Sequence, residues 1–161
     1  MINIFCNDSL IKVLEDNNVQ EYTPAYGGES AGIDLYNTGD DVIIKPITEF
    51  NSEKKNYTLI NTGVHLLVPK GYVALVKERG SIVKSVLKVR AGVVDSGYTG
   101  EVFVNLVNLS NKDKIISYGE KLPVQIVVVK CDNHFTVIDS EEYLKLSGRS
   151  LRKEGKVGSS D

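Results

Sequence analysis

The chain has 161 residues, 42% hydrophobic and 25% charged, which fits one domain large enough to bury a sizeable core. Lys plus Arg number 19 against 21 Asp plus Glu, a net charge of -2, so no overall basic field favours nucleic acid or an anionic membrane, and a polyanionic ligand has to be met by a local cluster. The longest apolar runs, such as Val124 to Val129 around Gln125, fall far short of a membrane span, and Met1 is followed by strand-like residues rather than a signal peptide, so a cytoplasmic protein is expected.

Short runs rich in Val, Ile, Tyr and Leu recur between Gly, Asn, Asp and Pro, an all-β pattern. In chain order the predicted strands are Ile2 to Cys6, Gly32 to Tyr36, Val42 to Ile44, Tyr57 to Val68 and Tyr72 to Glu78. A short helical turn is predicted over Ser81 to Val86. The stretch from Ala91 to Val102 follows, read as a hairpin: two short apolar strands flank a turn holding Asp95, Tyr98 and two glycines. Gly97 and Gly100 take positive φ at little cost, so the backbone there is able to close around a ligand. In the strand Val102 to Asn108, Val102, Val104 and Leu106 share one face and Phe103, Asn105 and Val107 the other. The last strand, Lys121 to Val129, contains Pro123, which cannot donate to a ladder and calls for a bulge or an edge.

Asp139 and Glu142 have capping-box spacing at the start of a helix predicted to end at Leu146, and neither helical segment is expected to organise the fold. From Ser147 the sequence SGRSLRKEGKVGSSD has three glycines and almost no large apolar residue, so a β domain over 1–146 is expected to carry a mobile tail over 147–161. Cys6 and Cys131 read as small apolar residues rather than as a disulfide. Cys131 and His134 supply two metal ligands and His65 is the only other histidine, short of what zinc requires, so no metal site is expected there.

Five segments carry the candidate chemistry: Ala31-Gly32-Ile33-Asp34-Leu35, Glu78-Arg79-Gly80-Ser81-Ile82, the turn from Gly92 to Glu101, Gly119-Glu120-Lys121-Leu122-Pro123-Val124-Gln125, and Arg152-Lys153-Glu154-Gly155-Lys156-Val157-Gly158-Ser159-Ser160. In that order they resemble the five motifs of the trimeric dUTPase family. The resemblance implies an antiparallel jelly-roll-like β-barrel with one or two short helices. It further implies hydrolysis of dUTP to dUMP and pyrophosphate with Mg²⁺, and a homotrimer with active sites shared between neighbours. The third segment is a close match; the second, fourth and fifth depart from the family pattern.

By that resemblance Asp95 orients and deprotonates the water attacking the α-phosphorus, a role typically worth roughly 10²- to 10⁴-fold in rate. The Tyr98 ring packs against the deoxyribose, where a ribose 2′-hydroxyl would clash. Main-chain groups of Gly92, Val93 and Val94 on one side and Phe103 on the other read uracil, whose N3 donor and O4 acceptor are reversed in cytosine. Arg79, a planar fork of permanent charge, is the phosphate ligand in the body of the domain; the alternative is a surface ion pair with Glu78. Gly80 stands where the family has serine, so either Ser81 reaches the phosphates or the Gly80 and Ser81 amides serve at the start of a short helix. Gln125 binds phosphate or the ordered water, unless it merely faces solvent.

Arg152, Gly158 and Ser159 belong to a lid over the triphosphate. It is not a Walker loop, because Val157 follows Lys156 where Ser or Thr is required. Val157 replaces the usual aromatic, and losing a base stack of roughly 1 to 3 kcal/mol is expected to loosen closure. Asp34 either touches a magnesium-bound water or fixes neighbouring backbone, and Mg²⁺ itself is held mainly by phosphates and waters, with no protein ligand. Two other readings remain: a regulatory protein that binds the nucleotide with weak or no catalysis, and a dCTP deaminase. The deaminase is disfavoured because Asn105 stands where that family needs a titratable glutamate.

Overall fold

Alternation along the strands decides the architecture. Val102, Val104 and Leu106 are buried at 4% exposure or less while Phe103 is 41% exposed, as the two-residue period predicts. The computed structural model describes residues 2–47, 58–132 and 134–148. Within them the order is β1 (Asn3–Cys6), α1 (Asp8–Asp16), β2 (Gly32–Tyr36), β3 (Val42–Ile44), β4 (Leu59–Ile60), β5 (Val64–Leu67) and β6 (Tyr72–Glu78). Then follow β7 (Leu87–Arg90), β8 (Val93–Val94), β9 (Val104–Asn108), β10 (Lys114–Ile116), β11 (Lys121–Lys130) and α2 (Ser140–Ser147). The named strands pair antiparallel in four sheets, ordered β1-β5, β10-β3, β2-β11-β6-β8 and β4-β9-β7. This is a mostly β, jelly-roll-like fold with two short α-helices among the described residues. None of the described helices is long and apolar enough to cross a membrane.

The core joins the inner faces of these sheets, with Leu35, Ile60, Leu66, Ile116, Leu122 and Val124 among its fully buried side chains. Two buried asparagines close its ends. Asn37 donates through Nδ2 to the carbonyls of Asp40, Ile116 and Ser117, and Asn108 donates to those of Ile44 and Lys112. Each asparagine is itself fully buried, and these carbonyls satisfy amide hydrogens that would otherwise be buried without acceptors. Cys6 and Cys131 are free and half-buried, and burial pushes the Cys6 thiol up.

Three local expectations change. Helix α1 had no counterpart in the strand reading, yet Leu10, Val13 and Leu14 are core residues at i, i+3 and i+4, and Asn7 Oδ1 caps the helix by accepting from Leu10 N at 3.0 Å. The run Tyr57 to Val68 is broken at Gly63, whose φ of +66° ends β4 and starts β5; Tyr57 lies outside the described residues. The hairpin is wider than expected. Its ladder is β7 with β9, closing at Arg90↔Asn105, while β8 turns away to pair with β6, so residues 91–103 form an open tip rather than two paired arms.

Gly97 and Gly100 do not use positive φ, which falls instead at Gly92, while three other local expectations hold. Pro123 sits at a register shift between Lys121 and Gln125 in the β11–β2 pairing, the bulge that a proline in a central strand requires. The turn after β6 is a 3₁₀ helix over Gly80–Lys84. Asp139 caps α2, its Oδ1 accepting from Glu142 N at 2.8 Å, and no residue of α2 is buried. The tail boundary at 146/147 falls within the last turn of α2, and 149–161 lie outside the described residues.

Candidate active site

Asp34 on β2 is the node of one half of the site. Its Oδ1 lies 2.7 Å from Arg79 Nε and its Oδ2 3.0 Å from Lys121 Nζ. The carboxylate and guanidinium side chains are 25% and 28% exposed, so solvent screens this pair only in part. Partial burial pulls the Lys121 ammonium pKa down, but the hydrogen bonds and charges of Asp34 and Tyr36 together outweigh it and raise the group above the ordinary lysine range. Arg79 is therefore not paired with Glu78, the alternative open in the sequence; Glu78 faces Lys88 at 3.7 Å. By using Nε toward Asp34, the guanidinium keeps its terminal nitrogens for other acceptors.

Register brings Gln125 to the same place. It is paired with Asp34 on one side and Lys77 on the other, and its Nε2 donates to Glu78 O at 3.5 Å. Gly32 makes room for it, since a Cβ at Gly32 would stand 2.7 Å from Gln125 Oε1. The backbone under Asp34 is fixed as well. The Tyr22 hydroxyl donates to Asp34 O at 2.6 Å, and burial raises the Tyr22 phenol far above its ordinary range. Thus the first, second and fourth segments meet at one cluster, with Gly80 and Ser81 exposed on the 3₁₀ turn that Arg79 caps.

The open tip holds the other half. Gly92 has φ +106° and lies against β6, accepting from Val76 N at 2.7 Å, and a Cβ there would meet Val76 O at 2.8 Å. Only glycine tolerates that approach. Val94 is buried while Val93 is 67% exposed, so Val93 and exposed Asp95 face outward beside the tip. Tyr98 N donates to Asp95 O at 3.1 Å, and the Tyr98 hydroxyl donates to Glu101 O at 2.7 Å, which lays the ring over Gly100. Glu101 is not among the candidate residues of the sequence, because its side chain bonds main-chain amides of a turn distant in the chain.

The two halves do not meet within one chain. Val94 is paired with Ala74, Arg79 lies five positions beyond Ala74, just past the end of β6, and Asp95 runs the opposite way. At about 3.3 Å per residue this separates Asp95 from Arg79 by roughly 20 Å along the sheet. That is farther than the linked phosphates of one nucleotide reach. A cleft of about 510 Å³ lies elsewhere, lined by Ile43, Pro46, Ile47, Leu106 and Val107 among others. Among the described residues no group of three His, Cys, Asp or Glu is placed to hold a metal. Arg152, Gly158 and Ser159 lie outside the described residues.

Comparison with known proteins gives a consistent answer. The family model described as dUTPase matches residues 18–160. A deoxyuridine 5′-triphosphate nucleotidohydrolase of Ehrlichia canis is 35% identical over 125 residues, covering 74% of this chain and 76% of the relative. One from Dictyoglomus turgidum is 35% identical over 134 residues, covering 81% and 83%. Among solved structures, the Staphylococcus bacteriophage 80alpha dUTPase with dUPNHPP superposes with a TM-score of 0.71 at 18% identity over 100% of this chain and 98% of that one. The native EIAV dUTPase gives 0.63 at 21% identity over 88% and 98%. These last two likenesses concern the fold.

Proposed function

The chain belongs to the dUTPase family, and from that premise we propose that it hydrolyses dUTP to dUMP and pyrophosphate in the cytoplasm, as a homotrimer whose active sites are shared between neighbours. The observation that carries the reading is the convergence at Asp34 of Arg79 and Lys121, with Gln125 alongside in register. Three separate segments of a chain with net charge -2 there build a local cationic cluster that a triphosphate needs. The distance from that cluster to Asp95 supports the shared site: a neighbouring copy would bring its tip to the Arg79 cluster and complete the constellation.

In this mechanism Asp95 accepts a proton from water as the water oxygen bonds to the α-phosphorus. The bond from that phosphorus to the bridging oxygen breaks, and pyrophosphate leaves with the electron pair. Arg79 binds the phosphates with its terminal nitrogens while Asp34 fixes its orientation through Nε, and Gln125 holds a phosphate oxygen or the attacking water. Preorganised donors of this kind supply much of such catalysis. Gly80 and Ser81 lie beside Arg79, and Arg152, Gly158 and Ser159 close the tail over the phosphates. Mg²⁺, when bound, would be held mainly by the nucleotide phosphates and water and would neutralise phosphate charge.

The tip selects the nucleoside. Gly92, Val93 and Val94 present main-chain groups to uracil at close range, because the missing Cβ at Gly92 lets the chain hug β6. Phe103, 41% exposed at the far arm, forms the other wall, and the Tyr98 ring excludes a 2′-hydroxyl. The test is pyrophosphate release with Mg²⁺ from dUTP, UTP, dTTP and dCTP. Release from dUTP alone is expected, and Asp95→Asn is expected to lower kcat by at least about 10²-fold while dUTP still binds. Undiminished turnover in that variant would remove Asp95 from the mechanism, and binding without turnover in the unaltered chain would make it a nucleotide-binding regulator.

A further inference from the structure

We propose that Glu101 is the positioning residue of sugar discrimination, a role that rests on the reading of the chain as a dUTP hydrolase. Its Oε1 accepts from two main-chain amides, Thr62 N and Gly63 N, both at 2.9 Å, and from Asn61 Nδ2 at 3.3 Å. Its own carbonyl accepts the Tyr98 hydroxyl at 2.7 Å. One residue therefore grips the turn between β4 and β5 with its side chain and the tyrosine ring with its main chain.

The grip is reinforced on both sides. Thr62, fully buried, donates through Oγ1 to Val102 O at 2.5 Å, and Val102 N donates to Val64 O at 2.8 Å. His65 pairs with Glu101 in an isolated bridge, and its Nδ1 lies 3.2 Å from Thr99 O. The tip is thus stitched to residues 61–65 along 99–102, while its other end is tied to β6 at Gly92. Behind the turn stands α1. Gly63 O accepts from Asn7 N at 3.0 Å, and a Cβ on Gly63 would lie 2.4 Å from Asn7 Oδ1. Gly100 completes the device, since a Cβ there would stand 2.6 Å from the Tyr98 hydroxyl and drive the ring off its tether.

The chemistry of the anchor is specific. Two amides of a buried turn need an acceptor, and a carboxylate supplies a charge-assisted one. A rigid ring excludes a 2′-hydroxyl only while it cannot swing aside, so discrimination depends on the tether rather than on the ring alone. A merely structural Glu101 would lower stability and the turnover of dUTP and UTP in parallel. A positioning Glu101 changes their ratio.

The experiment compares Glu101→Ala, Glu101→Gln and Tyr98→Phe with the unaltered chain, measuring kcat/KM for dUTP and for UTP and amide hydrogen exchange over residues 95–101. In Glu101→Ala the dUTP-to-UTP ratio is expected to fall about tenfold or more, because displacements near 1 Å in such sites cost up to roughly 10²-fold. Glu101→Gln, which keeps an acceptor oxygen for the Thr62 and Gly63 amides, is expected to stay within about threefold. Faster exchange at 95–101 is expected in the Ala variant alone. Tyr98→Phe removes only the tether to Glu101 O and is expected to lower the ratio with little change in fold, so it decides the matter if Glu101→Ala does not fold. A folded Ala variant with unchanged ratio and exchange, or an unchanged ratio in Tyr98→Phe, overturns the proposal. If the unaltered chain releases no pyrophosphate from dUTP, the hydrolase reading fails, and exchange over 95–101 alone still decides whether Glu101 anchors the tip.

Discussion

Replacing Gly63 by alanine tests how the N-terminal helix, the β4–β5 turn and the tip are locked together. Gly63 has φ +66°, and a left-handed backbone costs an alanine about 1 to 2 kcal/mol. The new Cβ would stand 2.4 Å from Asn7 Oδ1 and 2.7 Å from Leu10 Cβ. Moving the Asn7 side chain gives up the cap on Leu10 N, worth about 1 kcal/mol. Moving Leu10, which is 0% exposed, overpacks the core at a cost of about 2 kcal/mol. Together these reach about 4 kcal/mol, and at roughly 2 to 4 °C per kcal/mol for a chain of this size they lower Tm by about 8 to 16 °C. Gly71 is the control. Its φ is +81° but nothing lies within 4 Å of a Cβ there, so Gly71→Ala carries the strain alone and is expected to lose only about 2 to 8 °C, about half or less of the Gly63→Ala loss. The assay is thermal unfolding followed by circular dichroism at one protein concentration, since assembly couples to apparent stability. Equal Tm losses in the two variants would refute the reasoning, because they would leave no cost to the contacts with Asn7 and Leu10.

Asp34→Ala frees Arg79 and Lys121, and because the Asp34–Arg79 pair is about a quarter exposed the stability loss is expected to be only about 1 to 2 kcal/mol. Its effect on phosphate binding should be larger: KM for dUTP is expected to rise about tenfold with a smaller fall in kcat, read from steady-state kinetics. Tyr22 governs alkaline stability. Its phenol pKa is raised by burial, so the unfolded chain ionises it first; its contribution is complete below the unfolded value of about 10 and is lost as pH rises above that. Denaturant unfolding across that range should show the loss in the unaltered chain and a flatter profile in Tyr22→Phe, which is also less stable at neutral pH for want of the hydrogen bond to Asp34 O.

What was legible in the sequence was whatever chemistry or periodicity fixes locally. The inward face of Val102, Val104 and Leu106, the bulge at Pro123 and the Asp139 cap follow from neighbours only a few residues apart. Helix α1 was hidden because Ile11 and Val13 give a nine-residue segment a strand-like composition, although Asn7 and the spacing of Leu10, Val13 and Leu14 carried the helical signal. The partner of Arg79 was not legible for a different reason. Glu78 is its neighbour in sequence, but successive strand residues point to opposite faces, and the carboxylate on its own side belongs to Asp34 two strands away. The role of Glu101 is not legible in the sequence because its partners, the amides of Thr62 and Gly63, have no side-chain signature.

The placement of β8 explains why this constellation is scattered along the chain. Had Val93 and Val94 paired across the hairpin with the strand that follows, the tip would have been a narrow two-stranded ribbon with its groups turned toward each other. Pairing with Ala74 and Leu75 instead pins one end of the tip to β6, while Glu101 and Val102 pin the other to the β4–β5 turn. The loop between is held open at both ends with Asp95, Tyr98 and Phe103 outward. The same pairing directs Asp95 away from the end of β6 that carries Arg79. One strand choice therefore opens the tip and separates Asp95 from the Arg79 cluster, and it is on this separation that the proposed sharing of the site between neighbouring copies rests.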